Sequence, residues 1–136
     1  MNLLFTIILF IIPTFSFSQT IEKNQVSKVN YASLIMYHRF GDSRYPSTNI
    51  KKEQFIKHIN ELLKSKYNVI SIKKAVLAIN NVEPIKDRSV VITIDDAYSS
   101  VYKYAWPIFK KHNLPFTLFI STDVIDNKTP GYMSWD

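Results

Sequence analysis

Hydrophobic positions along the chain fall into blocks of two kinds that alternate. Ser33 to Tyr37 (SLIMY), Val69 to Ser71, Val90 to Ile94 (VVITI) and Phe116 to Ile120 are short runs rich in β-branched or aromatic residues. Runs of this length without polar alternation predict strands buried on both faces, as in a parallel sheet. Between them the apolar period changes to that of a helix. Phe55, Ile56, Ile59, Leu62 and Leu63 predict an amphipathic helix over Lys52 to Ser65. Lys73 to Ile79 predicts a second helix, and Val101, Tyr104, Ala105, Ile108 and Phe109 a third, kinked or restarted at Pro107. Arg39 to Thr48 and Asn80 to Arg88 carry turn residues and read as loops. The order β-α-β-α-β-α-β predicts an α/β domain built from parallel β-α units.

The first thirty residues follow a different pattern. Leu3 to Ile12 is an unbroken apolar run of secretory length, too short to span a bilayer, followed by the small residues of Ser16-Phe17-Ser18. This predicts a signal peptide over residues 1–18, a polar linker over 19–32 and the folded domain over 33–136. The expected product is exported to the periplasm, cell envelope or medium, with no stable membrane span after cleavage. The run lacks a preceding Lys or Arg, so a retained anchor is the alternative. The chain has no cysteine, and an exported domain without disulfides depends on its packed core. Of the 17 basic residues 14 are Lys, scattered along a chain of net charge +6. That is unlike the Arg-rich stripe of a nucleic-acid reader, so no nucleic-acid partner is expected. It does allow weak attraction to anionic cell-surface polymers.

Chemistry enters at the end of the third run, where Val90 to Ile94 leads into Asp95 and Asp96. The carboxyl ends of parallel strands are where α/β proteins gather reactive groups. The bland alternative is a solvated turn that caps the next helix. Two adjacent Asp on an extended strand point different ways, so one can face a metal and the other a water. Glycosidases also use paired carboxylates, but theirs flank the scissile bond at roughly 5 Å or more, usually from separate strands. His38 closes the first run on the same side as the Asp pair and is a candidate to line the site. His58, among Phe55, Ile59 and Leu62, reads as a boundary residue of the first helix, and His112 as a last-turn helix residue. Ser121-Thr122-Asp123 reads as a helix cap. Of the aromatics after the Asp pair, Tyr98 is the one placed to meet a substrate.

ITIDDAYSSVYKYAWPIFKKHNLPFTLFI resembles the first motif region of the polysaccharide deacetylases, the NodB-homology family, in which a strand ends in Thr-Phe-Asp-Asp-Gly. MYHRFGD, EQFIKHINELLKSKYNVISI and MSWD resemble further segments of the branch that deacetylates N-acetylglucosamine polymers, in the family's order. The resemblance implies the first half of an irregular (β/α) barrel of the NodB-homology type, apparently truncated, since barrels of this kind need roughly 200 residues or more. It implies a metal-dependent hydrolase that removes N-acetyl groups from an envelope or exported polysaccharide. Asp95 would be the catalytic base and Asp96 a ligand of a divalent metal, zinc first among the candidates. His38 and Tyr98 would line the site. The family's His-x-x-x-His ligands and its general-acid His have no counterpart before Asp136, so they are expected beyond it. Two positions depart from the family motif: Ile94 replaces Phe, and Ala97 replaces Gly. Ala is the mildest such replacement and is expected to keep the turn. An exported, non-catalytic carbohydrate-binding or remnant protein is the alternative.

Overall fold

The computed structural model describes residues 31–136, so the expected signal peptide and most of the linker lie outside the described residues. The described residues form four parallel strands of one sheet: β1 (Ser33–Tyr37), β4 (Asn68–Ile70), β5 (Ser89–Asp95) and β6 (Thr117–Phe119). A two-stranded parallel pair forms between β2 (Arg39–Phe40), at the start of the segment expected as loop, and β3 (Asn49–Ile50), directly after that segment. Helices α1 (Lys52–Lys64), α2 (Ile72–Ile79), α3 (Trp106–Lys111) and α4 (Thr122–Asp126) complete the fold. The expected mixed α/β architecture of parallel strands is what forms. Ser71 ends no strand; it is the N-cap of α2, its hydroxyl accepting from the Lys74 N–H at 3.3 Å.

β5 is the centre of the sheet. Val90 and Val91 pair with both β1 and β4, and Thr93 and Ile94 with both β1 and β6. β1 therefore occupies one edge of β5, while β4 and β6 divide the other between its two halves. Flanked along its length, β5 is buried from Ser89 to Ile94, which is why it reads as an unbroken apolar run. Its even positions Val90, Ile92 and Ile94 share a core with Tyr37 of β1, Phe55, Ile59 and Leu62 of α1, and Phe109 of α3. Within it Phe55 meets Phe40 at 4.7 Å, Phe109 at 5.4 Å and Tyr37 at 5.6 Å between ring centroids, all edge-on. Such aromatic pairs add roughly 0.5–1.5 kcal/mol each beyond their buried area.

The third helix is two elements. Val101–Ala105 is a π-helical turn, and α3 begins at Trp106 with Pro107 in its first turn. Proline has no N–H and its ring crowds the carbonyl four residues back, so the ordinary helical ladder cannot run through this point. The wider turn takes the bond instead, with the Trp106 N–H donating to the Val101 carbonyl.

Candidate active site

Because the four strands are parallel, their carboxyl ends converge at one end of the sheet, and Asp95 is the last residue of the central one. Asp95 and Asp96 line a cavity of about 430 Å³ together with Met36, Thr93, Phe119 and Ser121. His38 follows β1 and brings its Nε2 to 3.9 Å from Asp95 Oδ2, both side chains remaining partly exposed. The structure thus brings His38, Asp95 and Asp96 together. A larger cavity of about 540 Å³ lies at the other end of β4 and β5, beside Asn68 and Ser89, away from this cluster.

The chain after β5 makes an unusual turn. Asp96 (φ 68°) and Ala97 (φ 51°) both adopt left-handed backbone, and Ala97 is fully buried. For an L-residue this conformation costs roughly 1–2 kcal/mol. Such strain persists only where surroundings over-determine it, and it clusters at functional sites. Here the segment Gly131–Met133 supplies the clamp. The Met133 N–H donates to the Ala97 carbonyl and the Ser99 N–H to the Gly131 carbonyl, each at 2.9 Å. The expected turn is retained, at the cost of placing a Cβ where glycine is favoured.

Tyr98 does not line the Asp95 cavity, although its hydroxyl neighbours Asp96. It is buried in the floor of a second cleft, its ring 4.7 Å from that of Tyr132 and its hydroxyl 3.4 Å from the Tyr132 hydroxyl. Burial, the Tyr132 hydroxyl and the neighbouring Asp96 carboxylate push the Tyr98 phenol well above its ordinary range. Tyr98 is therefore a neutral hydrogen-bonding group next to Asp96. Tyr132 was not foreseen as part of this region. Its only signal is that it immediately precedes the Met-Ser-Trp-Asp segment, and nothing local shows that this segment returns to the Asp turn.

The other candidates lie elsewhere. His58 is exposed on α1, with its Nδ1 3.0 Å from the Tyr37 hydroxyl; burial of Tyr37 raises its phenol to about 12. His112 is the C-cap of α3. Ser121 does occupy the N-cap position of α4, but its side chain makes no capping bond, and Asp123 sits in the first turn of that helix. Among the described residues no three His, Cys, Asp or Glu side chains are grouped to hold a metal ion. A catalytic zinc ordinarily takes three protein ligands. The cavity offers the two carboxylates of Asp95 and Asp96, and the described residues alone do not complete such a site.

Residues 83–135 match the model of the family described as polysaccharide deacetylase. YxkH of Bacillus subtilis (strain 168), a protein named for the polysaccharide deacetylases, is 28% identical over 95 residues, which is 70% of this chain and 33% of YxkH. IcaB from Ammonifex degensii has a similar structure, with a TM-score of 0.67 and 25% identity, over 79% of this chain and 46% of its own. A de-N-acetylase from Aggregatibacter actinomycetemcomitans is alike in fold, with a TM-score of 0.67 and 24% identity, over 77% of this chain and 48% of its own. The chain thus spans about a third of the curated relative and about half of the solved structures. The Asp-Asp turn, the parallel strands that converge on it and these likenesses agree: residues 83–135 resemble the polysaccharide deacetylases, and the chain is similar in fold to about half the length of each of these solved structures.

Proposed function

We propose that this chain contributes the Asp-Asp half of an active site that removes N-acetyl groups from an exported or envelope polysaccharide. The observation that carries the reading is the pair Asp95-Asp96 at the carboxyl end of β5, where the chain enters the left-handed Asp96-Ala97 turn, with His38 3.9 Å from Asp95. Amide hydrolysis needs a base to take a proton from the attacking water and an acid to return one to the departing nitrogen. Asp95 opens into the cavity and is the base in this reading, with the His38 imidazole nitrogen 3.9 Å from its carboxylate. Asp96 points its chemistry toward a divalent cation, which would polarise the carbonyl and acidify water when bound. No step here depends on that ion, because the described residues supply only part of its ligand set.

The family match supports carbohydrate deacetylation, and the adjacency of the two carboxylates disfavours glycoside cleavage. The test uses a protein in which the chain is completed to a whole deacetylase domain, incubated with an N-acetylglucosamine oligomer. Acetate should appear without new reducing ends. New reducing ends without acetate would overturn the reading. The 136-residue chain alone, dialysed against zinc, is expected to retain well under one equivalent by elemental analysis, and stoichiometric zinc would show a ligand set not recognised here. Export is part of the same proposal and rests on the Leu3 to Ile12 run and Ser16-Phe17-Ser18. Among the described residues no helix is long and apolar enough to cross a membrane. Amino-terminal sequencing of the exported protein should begin at Gln19; a start at Met1 would mean a retained anchor or no export.

A further inference from the structure

The cleft whose floor is Tyr98 has a volume of about 420 Å³ and a charge arrangement that the hydrolytic reading does not use. Its centre is Arg39. The guanidinium carbon lies 3.6 Å from the Tyr98 ring centroid and 4.0 Å from that of Tyr45. Two rings that close to one carbon cannot share a face, so the guanidinium is held between them. One edge donor, Nη1, bonds the Thr48 hydroxyl at 2.6 Å. Among the described residues no carboxylate comes within ion-pair distance of Arg39. The cleft's other charges cancel each other. Arg44 binds Asp42 through two bonds of 2.9 Å, Nε to Oδ1 and Nη2 to Oδ2, which also holds the Asp42 carboxyl below its ordinary range. A half-buried cation, stacked on both faces and fixed at one edge, keeps its remaining N–H donors in a set plane. That is the arrangement that recognises a carboxylate or phosphate by two parallel hydrogen bonds.

We propose that this cleft is a binding subsite for a sugar unit bearing an anionic oxygen group, carboxylate or phosphate, with Arg39 as its specificity-determining residue. The word subsite rests on the proposed polysaccharide substrate; recognition of the anion by Arg39 does not. Tyr98 joins the two regions, since its ring underlies Arg39 while its hydroxyl neighbours Asp96. A polymer lying across the Asp95 cavity would place a neighbouring unit in the cleft.

Binding to the full chain would be measured by titration calorimetry with three oligosaccharides of equal length. One is a neutral N-acetylglucosamine oligomer, one alternates glucuronate with N-acetylglucosamine, and one carries a phosphate on its terminal N-acetylglucosamine. At low salt at least one anionic oligomer should bind about tenfold more tightly than the neutral one, an advantage that shrinks as salt rises. Which one does so identifies carboxylate or phosphate as the group. Arg39→Gln should abolish the advantage, Arg39→Lys should keep part of it, and Arg88→Gln, remote from the cleft, should leave it intact. Equal binding of all three, no binding of any, or an advantage that survives Arg39→Gln in a folded variant would overturn the proposal. Loss of Arg39 selectivity alongside intact acetate release from the neutral oligomer by the completed domain would leave the deacetylase reading standing. Retained anion selectivity with no acetate release would do the reverse.

Discussion

The two faces of the central sheet have been put to different uses. On one, Val90, Ile92 and Ile94 lie at 3%, 0% and 0% exposure beneath α1 and α3. On the other, the register aligns Leu34 with Val91, Met36 with Thr93 and Phe119 with Asp95. Leu34, Met36 and Phe119 there are 57%, 55% and 50% exposed. Successive side chains of an extended chain point to opposite faces; β5 itself is buried on both, Val91 and Thr93 at 2% each, and the second face opens at its flanking strands β1 and β6. The covered face holds the fold together. The open one carries the cavity and, at its end, Asp95.

The comparison is broken most severely at the aromatic cluster. Phe55→Ala removes a ring that touches Tyr37, Phe40 and Phe109, and is expected to cost about 3–5 kcal/mol. Leu34→Ser on the open face should change stability by only about 0.5 kcal/mol or less, as for other exposed positions. Urea denaturation of both variants measures the contrast, and equal losses would show that the open face is also structural.

Alkaline titration sharpens the same contrast from the covered side. Tyr37 has its phenol raised from the model-compound value of 10.0 to about 12 in the fold, because burial disfavours the phenolate. Between those values the unfolded chain gives up this proton while the folded one keeps it, so stability falls as pH rises from 10 toward 12. Below pH 10 the contribution is fully present. Tyr37→Phe should flatten that decline and, by removing the bond to His58, cost about 1 kcal/mol at neutral pH. A decline unchanged in Tyr37→Phe would assign it to another group.

The smallest expected effect lies at the turn where the faces meet the site. Ala97→Gly relieves a left-handed backbone at a fully buried position. Removing the methyl forfeits a little packing, so the net expectation is a gain of about 1 kcal/mol or less. A clear loss of stability would mean that the Ala97 methyl matters more than its backbone strain.

What could be read in the sequence follows from how local each signal is. β1, α1 and β5 declare themselves because burial imposes a period or an unbroken run on residues close together in the chain. Asp95, Asp96 and His38 were legible as strand ends for the same reason. The β2–β3 pair was not: two residues are too few to show alternation, and Gly41 with Pro46 made the segment read as loop. Pro107 marked the break in the third helix, but not that a π-helical turn would precede it, since that depends on which carbonyl the Trp106 N–H reaches. Tyr98 was expected beside the Asp pair toward substrate; its hydroxyl neighbours Asp96, while its ring is the floor of the Arg39 cleft. Tyr132 and Arg39 were missed because each meets Tyr98 from far along the chain, 34 residues away for Tyr132 and 59 for Arg39, although Arg39 also meets Tyr45 and Thr48 nearby. No periodicity connects positions that far apart.

The central claim is that Asp95 belongs to the chemistry and not to the fold. It is tested most directly by Asp95→Asn in a completed deacetylase domain, with melting temperature and acetate release measured on the same preparation. Asn preserves the shape of the side chain and cannot accept the proton of the attacking water. Acetate release should fall about a hundred- to ten-thousand-fold, with the melting temperature close to that of the parent. Full activity in the folded variant would reduce the Asp95-Asp96 turn to a solvated helix lead-in, and a collapse of stability would make Asp95 a structural residue; either result contradicts the account.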